Sequence, residues 1–283
     1  MKRILTIQDI SCLGKCSITI ALPLLSAMGV ETVILPTALL STHTMFKGFT
    51  CLDLSDQIRP ITRHWKDEGV HFDAIYTGYL GSEKDIDLAG EVISEFRQDD
   101  TLVFVDPVMG DNGKLYAAFD AHYPVKNREL CALADVIVPN ITEGSLMAEM
   151  NYKESYDRAY LEEMLSHLCS FGCGMAALTG VSLSEGQTGV MGYDNRRKEY
   201  FSYQNEHVPA SFHGTGDIFA SVTVGALMNG LSWPQSLKMA ADYTALTIRE
   251  TMKDNKKPWY GVNFESTIPE LVRMLSEAKA SLR

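Results

Sequence analysis

Residues 213–221 read His-Gly-Thr-Gly-Asp-Ile-Phe-Ala-Ser, with two glycines around a threonine and an aspartate directly after them. The apolar run over 218–228 predicts a buried helix, so residues 214–216 would present unpaired backbone N–H groups at its start. Such a helix N-terminus attracts negative charge. A carboxylate at Asp217 beside an anion site is unfavourable unless it has a purpose, such as taking the proton from a hydroxyl that attacks a phosphoryl group. The alternative is an ordinary capping aspartate.

Strand-like and helix-like segments alternate along the rest of the chain. The predicted strands are 4–7, 32–35, 74–77, 102–105, 136–138 and 176–178, and the predicted helices include 17–28, 54–68 and 83–96. This alternation is typical of a mostly parallel sheet with helices on both faces. Ligands of such sheets bind beyond the carboxyl ends of the strands. Asp106, Asn140 and Thr179 each follow a predicted strand, which favours a site at that edge.

A few segments depart from the alternation. The long polar stretch 36–50 is interpreted as a substrate flap, and residues 188–203 predict a hairpin that turns at 194–195. Ser232 and Gln235 predict a capping box at the start of a later helix. We find no internal repeat and no linker in the sequence, so we expect a single domain over 1–283.

Composition and charge restrict the partners of the protein. The net charge of −11 argues against nucleic acid, and no apolar run is long enough to span a bilayer. The first residues read as a strand rather than a targeting segment, and the six cysteines are spread without zinc-ligand spacing. We therefore expect a cytoplasmic protein without a membrane or nucleic-acid partner, in which backbone amides and a metal ion would carry any phosphate binding.

The familiar nucleotide-binding motifs are not intact in this sequence. Gly14-Lys15 resembles the end of a P-loop, but Asp9 replaces its first glycine and Cys16 replaces its Ser/Thr. What remains is a set of separate polar loops at the ends of strands. A carboxylate such as Asp106 and an amide such as Asn140 suit a magnesium ion held partly through water. Taken singly, Asp106 is equally consistent with a turn residue.

Four segments together resemble the pyridoxal kinase family of the ribokinase-like superfamily. They are Gly-Tyr-Leu-Gly-Ser at 78–82, Asp-Pro-Val-Met-Gly at 106–110, Pro-Asn-Ile-Thr-Glu at 139–143 and Gly-Thr-Gly-Asp at 214–217. They occur in the order of the family, and the resemblance covers essentially the whole chain. It implies an α/β three-layer sandwich, a homodimer, Mg²⁺, and transfer of the ATP γ-phosphate to the 5′-hydroxyl of pyridoxal, pyridoxine or pyridoxamine. It also implies activation by a monovalent cation such as K⁺.

The resemblance assigns roles residue by residue. Asp217 is implied as the catalytic base, with Gly214, Thr215 and Gly216 as the anion hole for the phosphoryl group. The implied magnesium and nucleotide residues are Asn140, Glu143, Asp106 and Thr179, with Glu143 and Asp106 nearest the metal and Tyr116 on a flap over 107–123. The implied residues around the pyridoxal ring are Ser11, Thr44 and Tyr79.

The resemblance leaves two alternatives to a pyridoxal kinase. Hydroxymethylpyrimidine kinases share the Asp-Pro-Val-Met segment but typically carry cysteine where Asp217 stands, so Asp217 and Tyr79 favour a pyridoxal kinase. A non-catalytic vitamer-binding protein would have no need of a base, and the presence of Asp217 together with Asn140 and Glu143 argues against it.

Overall fold

The strands of the structure, a computed structural model that describes residues 1–282, alternate with helices as predicted. The strands are β1 (Arg3–Leu13), β2 (Glu31–Thr42), β3 (Cys51–Asp53), β4 (Ala74–Thr77), β5 (Leu102–Val105), β6 (Gly110–Asp111), β7 (Lys114–Leu115), β8 (Val136–Ile137), β9 (Met175–Val181), β10 (Gln187–Asp194) and β11 (Glu199–Glu206). The helices are α1 (Ile18–Ala27), α2 (Ser55–Asp67), α3 (Glu83–Phe96), α4 (Tyr123–Cys131), α5 (Ile141–Met147), α6 (Arg158–Ser170), α7 (Thr215–Met228), α8 (Trp233–Lys253) and α9 (Ile268–Ala280), with a 3₁₀ turn at Phe264–Thr267.

Nine of these strands form one sheet, in the order β11-β10-β9-β8-β5-β4-β1-β2-β3. The six strands from β9 to β2 run parallel. The outer strands β3, β10 and β11 are antiparallel to their neighbours. The remaining pair, β6 and β7, makes a separate small hairpin. The carboxyl ends of the parallel strands therefore lie at one edge of the sheet, where a doubly wound fold binds its ligands.

Each face of the sheet packs against its own layer of helices. Along β4 and β5, Ile75 and Val103 enter a core shared with α2 to α6, whereas Tyr76 and Phe104 enter a second core shared with α1, α7, α8 and α9. Successive side chains of a strand point to opposite faces, so strands that are apolar throughout suit a sheet covered on both sides. The predicted α/β three-layer sandwich is confirmed.

The predicted elements agree closely with the observed ones. The hairpin of β10 and β11 and the capping box of Ser232 and Gln235 are present. The predicted flap over 36–50 is wrong for residues 36–42, which continue β2. They do so because the distal part of β1 pairs with them, for example Leu13 with Thr42, and because β3 pairs along their other side. Only residues 43–50 are irregular in this stretch.

Within residues 1–282, the helices all fall short of the length and apolarity required to cross a membrane.

Candidate active site

The glycine turn before α7 is shaped by contact with the loop after β1. Gly214 is the N-cap of α7 and has a left-handed φ of 85°, which favours glycine. A Cβ atom at this position would overlap the backbone carbonyl oxygen of Lys15. No side chain in the described part of the chain caps this helix, so the amides of 214–216 are not engaged by a side-chain cap. This geometry suits the predicted anion hole, and it places Asp217 in the first turn rather than at the cap.

Lys15 links this turn to a distant part of the chain. Its Nζ donates to Asn263 Oδ1 at 3.2 Å and to Glu265 Oε2 at 2.7 Å. Its carbonyl oxygen faces Gly214. The glycine turn before α7 is thus bordered by the loop after β1, which is itself hydrogen-bonded to the region of the 3₁₀ turn after α8.

The carboxyl group of Asp217 lies in an apolar and negatively charged environment. Burial raises its pKa to about 7, and the nearby carboxylate of Asp9 adds to the rise, while a hydrogen bond from the Ser17 backbone opposes it. Ser17 reaches this position with an unusual φ of 49° at the N-cap of α1. Packing against the β1–α1 loop therefore produces a pKa above the ordinary value of an aspartate. A carboxyl group of this pKa is well suited to accept a proton near neutral pH.

The raised pKa of Asp217 predicts a pH-dependent gain in stability for Asp217→Asn. Between about pH 4 and pH 7 the folded protein binds more protons than the unfolded chain, so this residue's contribution to stability falls as pH rises. We expect Asp217→Asn to gain about 1–3 kcal/mol relative to the parent protein between pH 5 and pH 8, as measured by urea unfolding.

Asp53 provides a control, because its pKa is shifted in the opposite direction. A hydrogen bond from the Ser55 backbone lowers its pKa, so Asp53→Asn should show no such gain. A pH-independent difference between Asp217→Asn and the parent protein would contradict the raised pKa.

The predicted phosphate-side residues come together where β5, β8 and β9 end. Asn140 is the N-cap of α5, with its Oδ1 accepting from the Glu143 backbone N–H at 2.9 Å. Glu143 Oε2 in turn accepts from the Asn140 backbone N–H at 2.8 Å, which completes a capping box. Thr179 forms a parallel β-bridge with Asn140. Asp106 directly follows β5 in the same row of strand ends.

Glu143 and Asn140 also anchor the segment predicted as the second flap, 107–123. Glu143 Oε1 accepts from the Met109 backbone N–H at 3.0 Å, and Asn140 Nδ2 donates to the Gly110 carbonyl oxygen at 2.9 Å. The Gly113 backbone N–H donates to Thr142 Oγ1 at 2.9 Å. The start of α5 therefore holds the hairpin of β6 and β7 in place.

Two buried carboxyl groups, those of Asp106 and Glu143, lie in this region. Burial, and then the neighbouring carboxylate of Glu143, raise the pKa of Asp106 well above its ordinary value. Burial raises the pKa of Glu143 to about 8. Among the groups that most change the pKa values of Asp106 and Glu143, there is no lysine or arginine whose positive charge would offset the two carboxylates. A divalent cation would relieve this repulsion, so the donor set fits Mg²⁺.

The fit to Mg²⁺ requires ligands from outside the chain. Across residues 1–282, no three His, Cys, Asp or Glu side chains converge to form a complete metal cage. Glu143 already accepts two backbone hydrogen bonds. Magnesium keeps several waters and binds through one or two carboxylates together with nucleotide phosphates, which matches this incomplete protein set.

Two of the three predicted ring-side residues, Ser11 and Tyr79, lie in the distal part of β1 and just after β4. Ile7 of β1 pairs with Thr77 of β4, so Asp9 and Tyr79 stand at equivalent positions two residues further along neighbouring strands. Burial, followed by the carboxylate of Asp9, raises the pKa of Tyr79 to about 12. Ser11 is buried, and its Oγ donates to Asp9 Oδ2 at 3.1 Å. The structure thus brings Ser11 and Tyr79 together around Asp9.

Thr44 and Tyr116 occupy less enclosed positions. Thr44 is exposed in the turn after β2; the buried residue of this turn is His43, whose Nε2 lies 2.9 Å from the Tyr260 carbonyl oxygen. Tyr116 is 38% exposed. Burial and the carboxylate of Glu143 raise the pKa of its hydroxyl, and its role on a flap over the nucleotide stays a prediction.

Sequence reasoning missed Asp9, Ser17 and His43 as components of the site. Asp9 was singled out only as a departure from a P-loop, although a charged residue inside an apolar strand pattern was a usable signal. The contact of Ser17 with Asp217 joins residues two hundred positions apart, and no local pattern predicts it.

Comparison with known proteins agrees with this geometry. A protein from Bacteroides thetaiotaomicron described as a candidate phosphomethylpyrimidine kinase is 39% identical, covers 95% of this chain and 93% of its own, and superposes with a TM-score of 0.92. The same protein has been crystallised in an orthorhombic form with pyridoxal. The pyridoxal kinase of Lactobacillus plantarum is 31% identical over 98% of this chain and 99% of its own, with a TM-score of 0.89. The pyridoxal kinase of Arabidopsis thaliana is 27% identical and covers 91% of this chain and 85% of its own.

The fold and the site together define a class. The three-layer sandwich, which superposes on the Lactobacillus plantarum pyridoxal kinase, is a ribokinase-like fold. The profile of the phosphomethylpyrimidine kinase family matches residues 23–260. The chain belongs to this family, and within the ribokinase-like superfamily it groups with the pyridoxal kinases.

Proposed function

We propose that the protein is an ATP-dependent kinase that phosphorylates the 5′-hydroxyl of pyridoxal, pyridoxine or pyridoxamine, giving pyridoxal 5′-phosphate or its analogues in a salvage reaction. The observation that carries this proposal is the position of Asp217 between two sets of polar groups. Burial is the main cause of the raised pKa values of Asp106 and Asp217; the charge of Asp217 adds to the rise at Asp106 on the phosphate side, and the charge of Asp9 adds to the rise at Asp217 on the ring side. The carboxylate can therefore face a hydroxyl that approaches the phosphoryl group from the ring side.

The proposal assigns a role in this reaction to each group of residues at the site. The amides of 214–216 stabilise charge that develops on the transferring phosphoryl oxygens, an effect worth about 3–4 kcal/mol per donor in comparable sites. Asp217 accepts the proton from the 5′-hydroxyl, and a positioned base contributes about 10²–10⁴-fold. Mg²⁺ held through Asp106 and Glu143 would offset the charge of the ATP phosphates. Tyr79 and Ser11 line the ring side, and the anchored hairpin encloses the nucleotide side.

The second candidate is a hydroxymethylpyrimidine kinase. It is favoured by the description of the matching family and of the Bacteroides protein. The pyridoxal-bound form of that same protein and the presence of Asp217 in this chain favour the vitamers.

A kinase assay separates the two candidates. Purified protein is given ATP and Mg²⁺ with pyridoxal, pyridoxine, pyridoxamine or hydroxymethylpyrimidine, and kcat/KM is measured for each. We expect the best of the three vitamers to exceed hydroxymethylpyrimidine. The reverse order would favour the second candidate, and binding of vitamers without any turnover would favour a non-catalytic binding protein. Adding KCl to the same assay tests the predicted monovalent-cation activation, and sedimentation tests the predicted homodimer.

Substitution of Glu143 by glutamine tests the metal role. Glutamine offers one acceptor oxygen where Glu143 uses two, and it removes the charge. We expect Glu143→Gln to raise the Mg²⁺ concentration for half-maximal rate by about tenfold, as expected for the loss of an outer-sphere partner of a metal. Activity is titrated with Mg²⁺ at saturating ATP and vitamer. Glu149→Gln is the matched control, because Glu149 is exposed and forms only a surface ion pair with Arg128. An unchanged Mg²⁺ titration would count against the metal role.

A further inference from the structure

Phe119 is an aromatic residue of the segment 107–123 to which the proposed reaction gives no role. Its side chain is half-buried and lies between two tyrosines that are predicted for opposite sides of the site. The centroid of its ring is 5.7 Å from that of Tyr79 on the ring side and 6.5 Å from that of Tyr116 on the nucleotide side. Phe119 therefore contacts both predicted sides at once.

A third aromatic residue holds the ring of Phe119. Tyr123, the first residue of α4, is buried and stacks on Phe119 with ring centroids 3.7 Å apart and planes 6° apart. The Tyr123 hydroxyl donates to the carbonyl oxygen of Leu80 at 2.5 Å, and Leu80 directly follows Tyr79. The contacts thus lead from Tyr79 through Phe119 and Tyr123 back to the backbone beside Tyr79. The position of Phe119 is therefore defined relative to Tyr79.

Three hydrogen bonds join Phe119 to the phosphate side. Glu143 Oε1 accepts from the Met109 backbone N–H at 3.0 Å. The Met109 carbonyl oxygen accepts from the Tyr116 N–H at 2.9 Å, and the Tyr116 carbonyl oxygen accepts from the Phe119 N–H at 3.0 Å. A change in position at the start of α5 or at Tyr116 is therefore passed to Phe119 through consecutive contacts.

The contacts of Phe119 leave room for a bound ligand to alter them. Tyr116 and the two alanines that follow it are exposed, so a nucleotide that contacts Tyr116 would restrict the turn from 116 to 119. The rings of Phe119 and Tyr79 are tilted by 35° and lie farther apart than the stacked pair of Phe119 and Tyr123. This looser contact can tighten when the turn is restricted. A second ligand then binds to a turn that the first has already ordered.

Building on the proposed function, we infer that Phe119 is a positioning residue that makes the binding of the vitamer and of the nucleotide cooperative. A nucleotide that fixes Tyr116 holds Phe119 against Tyr79 and so orders the ring side. A vitamer ring that packs on Tyr79 orders the turn of the flap in the same way. Coupling between two binding sites is reciprocal. Each ligand should therefore bind about fivefold more tightly in the presence of the other.

Calorimetry with pyridoxal and a non-hydrolysable ATP analogue tests this inference. The dissociation constant of the analogue with Mg²⁺ is measured with and without saturating pyridoxal, and that of pyridoxal with and without the saturating analogue. In the parent protein we expect both constants to fall about fivefold. In Phe119→Ala the change should be less than about twofold, and Phe119→Tyr, which keeps the ring, should retain at least about threefold.

Steady-state kinetics gives a readout that a general loss of structure would not produce. With the other substrate saturating, Phe119→Ala should raise the KM for pyridoxal and the KM for ATP about fivefold each. Its kcat should stay within about twofold of the parent value, because the carboxylate of Asp217 and the amides of 214–216 are unchanged.

Phe171→Ala is the matched control. Phe171 is also half-buried and packs against the same hydrophobic core as Phe119. It lies between α6 and the amino end of β9, at the edge of the sheet opposite the candidate site. The cooperativity of Phe171→Ala should equal that of the parent protein.

Four results would overturn the inference. Independent binding of pyridoxal and the analogue in the parent protein would do so without any variant. Full cooperativity in Phe119→Ala would show that the ring has no part in it. Equal losses in Phe119→Ala and Phe119→Tyr would show that the ring contact does not carry it, and a similar loss in Phe171→Ala would show that any loosening of this core has the same effect.

The same measurements separate this inference from the proposed function. If the parent protein does not phosphorylate any vitamer, the proposed function fails. If it phosphorylates them but binds vitamer and nucleotide independently, only the role of Phe119 fails.

Discussion

Replacing Asp217 by asparagine is expected to lower kcat for vitamer phosphorylation by roughly 10³-fold, the effect of losing a positioned general base. Asparagine is nearly the same size and keeps the contacts of the first turn of α7, but it cannot accept the proton of the 5′-hydroxyl. Pyridoxal and ATP should still bind, with dissociation constants within about threefold by calorimetry, because the amides of 214–216 are unchanged.

The control for this substitution is Asp157→Asn, at the N-cap of α6. Asp157 accepts a hydrogen bond from the Tyr160 backbone N–H at 2.9 Å, and asparagine caps helices equally well, so activity and stability should be retained. A kcat for Asp217→Asn comparable to that of the parent protein would exclude Asp217 as the base. Loss of vitamer binding together with turnover would assign it to substrate binding instead.

Replacing Gly214 by alanine is expected to lower kcat/KM by about 10²–10³-fold, the effect of losing an oxyanion-hole donor. The added Cβ would overlap the Lys15 carbonyl oxygen, and alanine would be held at a φ of 85°. The start of α7 must then shift, which moves the amides of 214–216 away from the phosphoryl group. Strain and displacement together should cost about 2–4 kcal/mol of stability, measurable as a fall in Tm.

Gly230→Ala is a control that introduces backbone strain at a positive φ without a steric overlap, whereas Gly214→Ala introduces both. Gly230 has a φ of 87° just beyond the other end of α7, and a Cβ there would meet no atom within 4 Å. Alanine at this position should cost about 1 kcal/mol and leave kcat/KM unchanged. If Gly214→Ala retained activity within threefold, the close approach of this turn to Lys15 would have no part in catalysis.

The sequence predicts the layers of the fold well because each strand and helix carries a local pattern of apolar residues. Reliance on local pattern also explains the error at 36–42. The polar residues Ser41 and Thr42 suggested a loop, but pairing with β1 and β3, which are distant in sequence or lie beyond the loop, continues the strand. The positions of Asp106 and Asn140 were predictable because each comes soon after a strand, and parallel strands end at one edge of the sheet. Thr179 was expected just after a strand, but β9 continues to Val181 and contains it.

The rest of the site depends on contacts between distant segments. The raised pKa of Asp217 arises from burial and from Asp9, which lies in the first strand. The inward position of His43 is determined by the carbonyl of Tyr260, more than two hundred residues away. The roles of Thr44 as a ring contact and of Glu143 as a metal partner stay predictions, because they concern molecules that bind to the chain.

The link from Gly214 through Lys15 to Glu265 has a consequence for synthesis of the protein. The turn proposed to receive the phosphoryl group contacts the loop after β1, and Lys15 of that loop is hydrogen-bonded to Asn263 and Glu265. The turn therefore gains its full support only after residues 263–265 have been synthesised. Growing chains on the ribosome are expected to lack ATP-consuming activity until the 3₁₀ turn has emerged from the exit tunnel and folded.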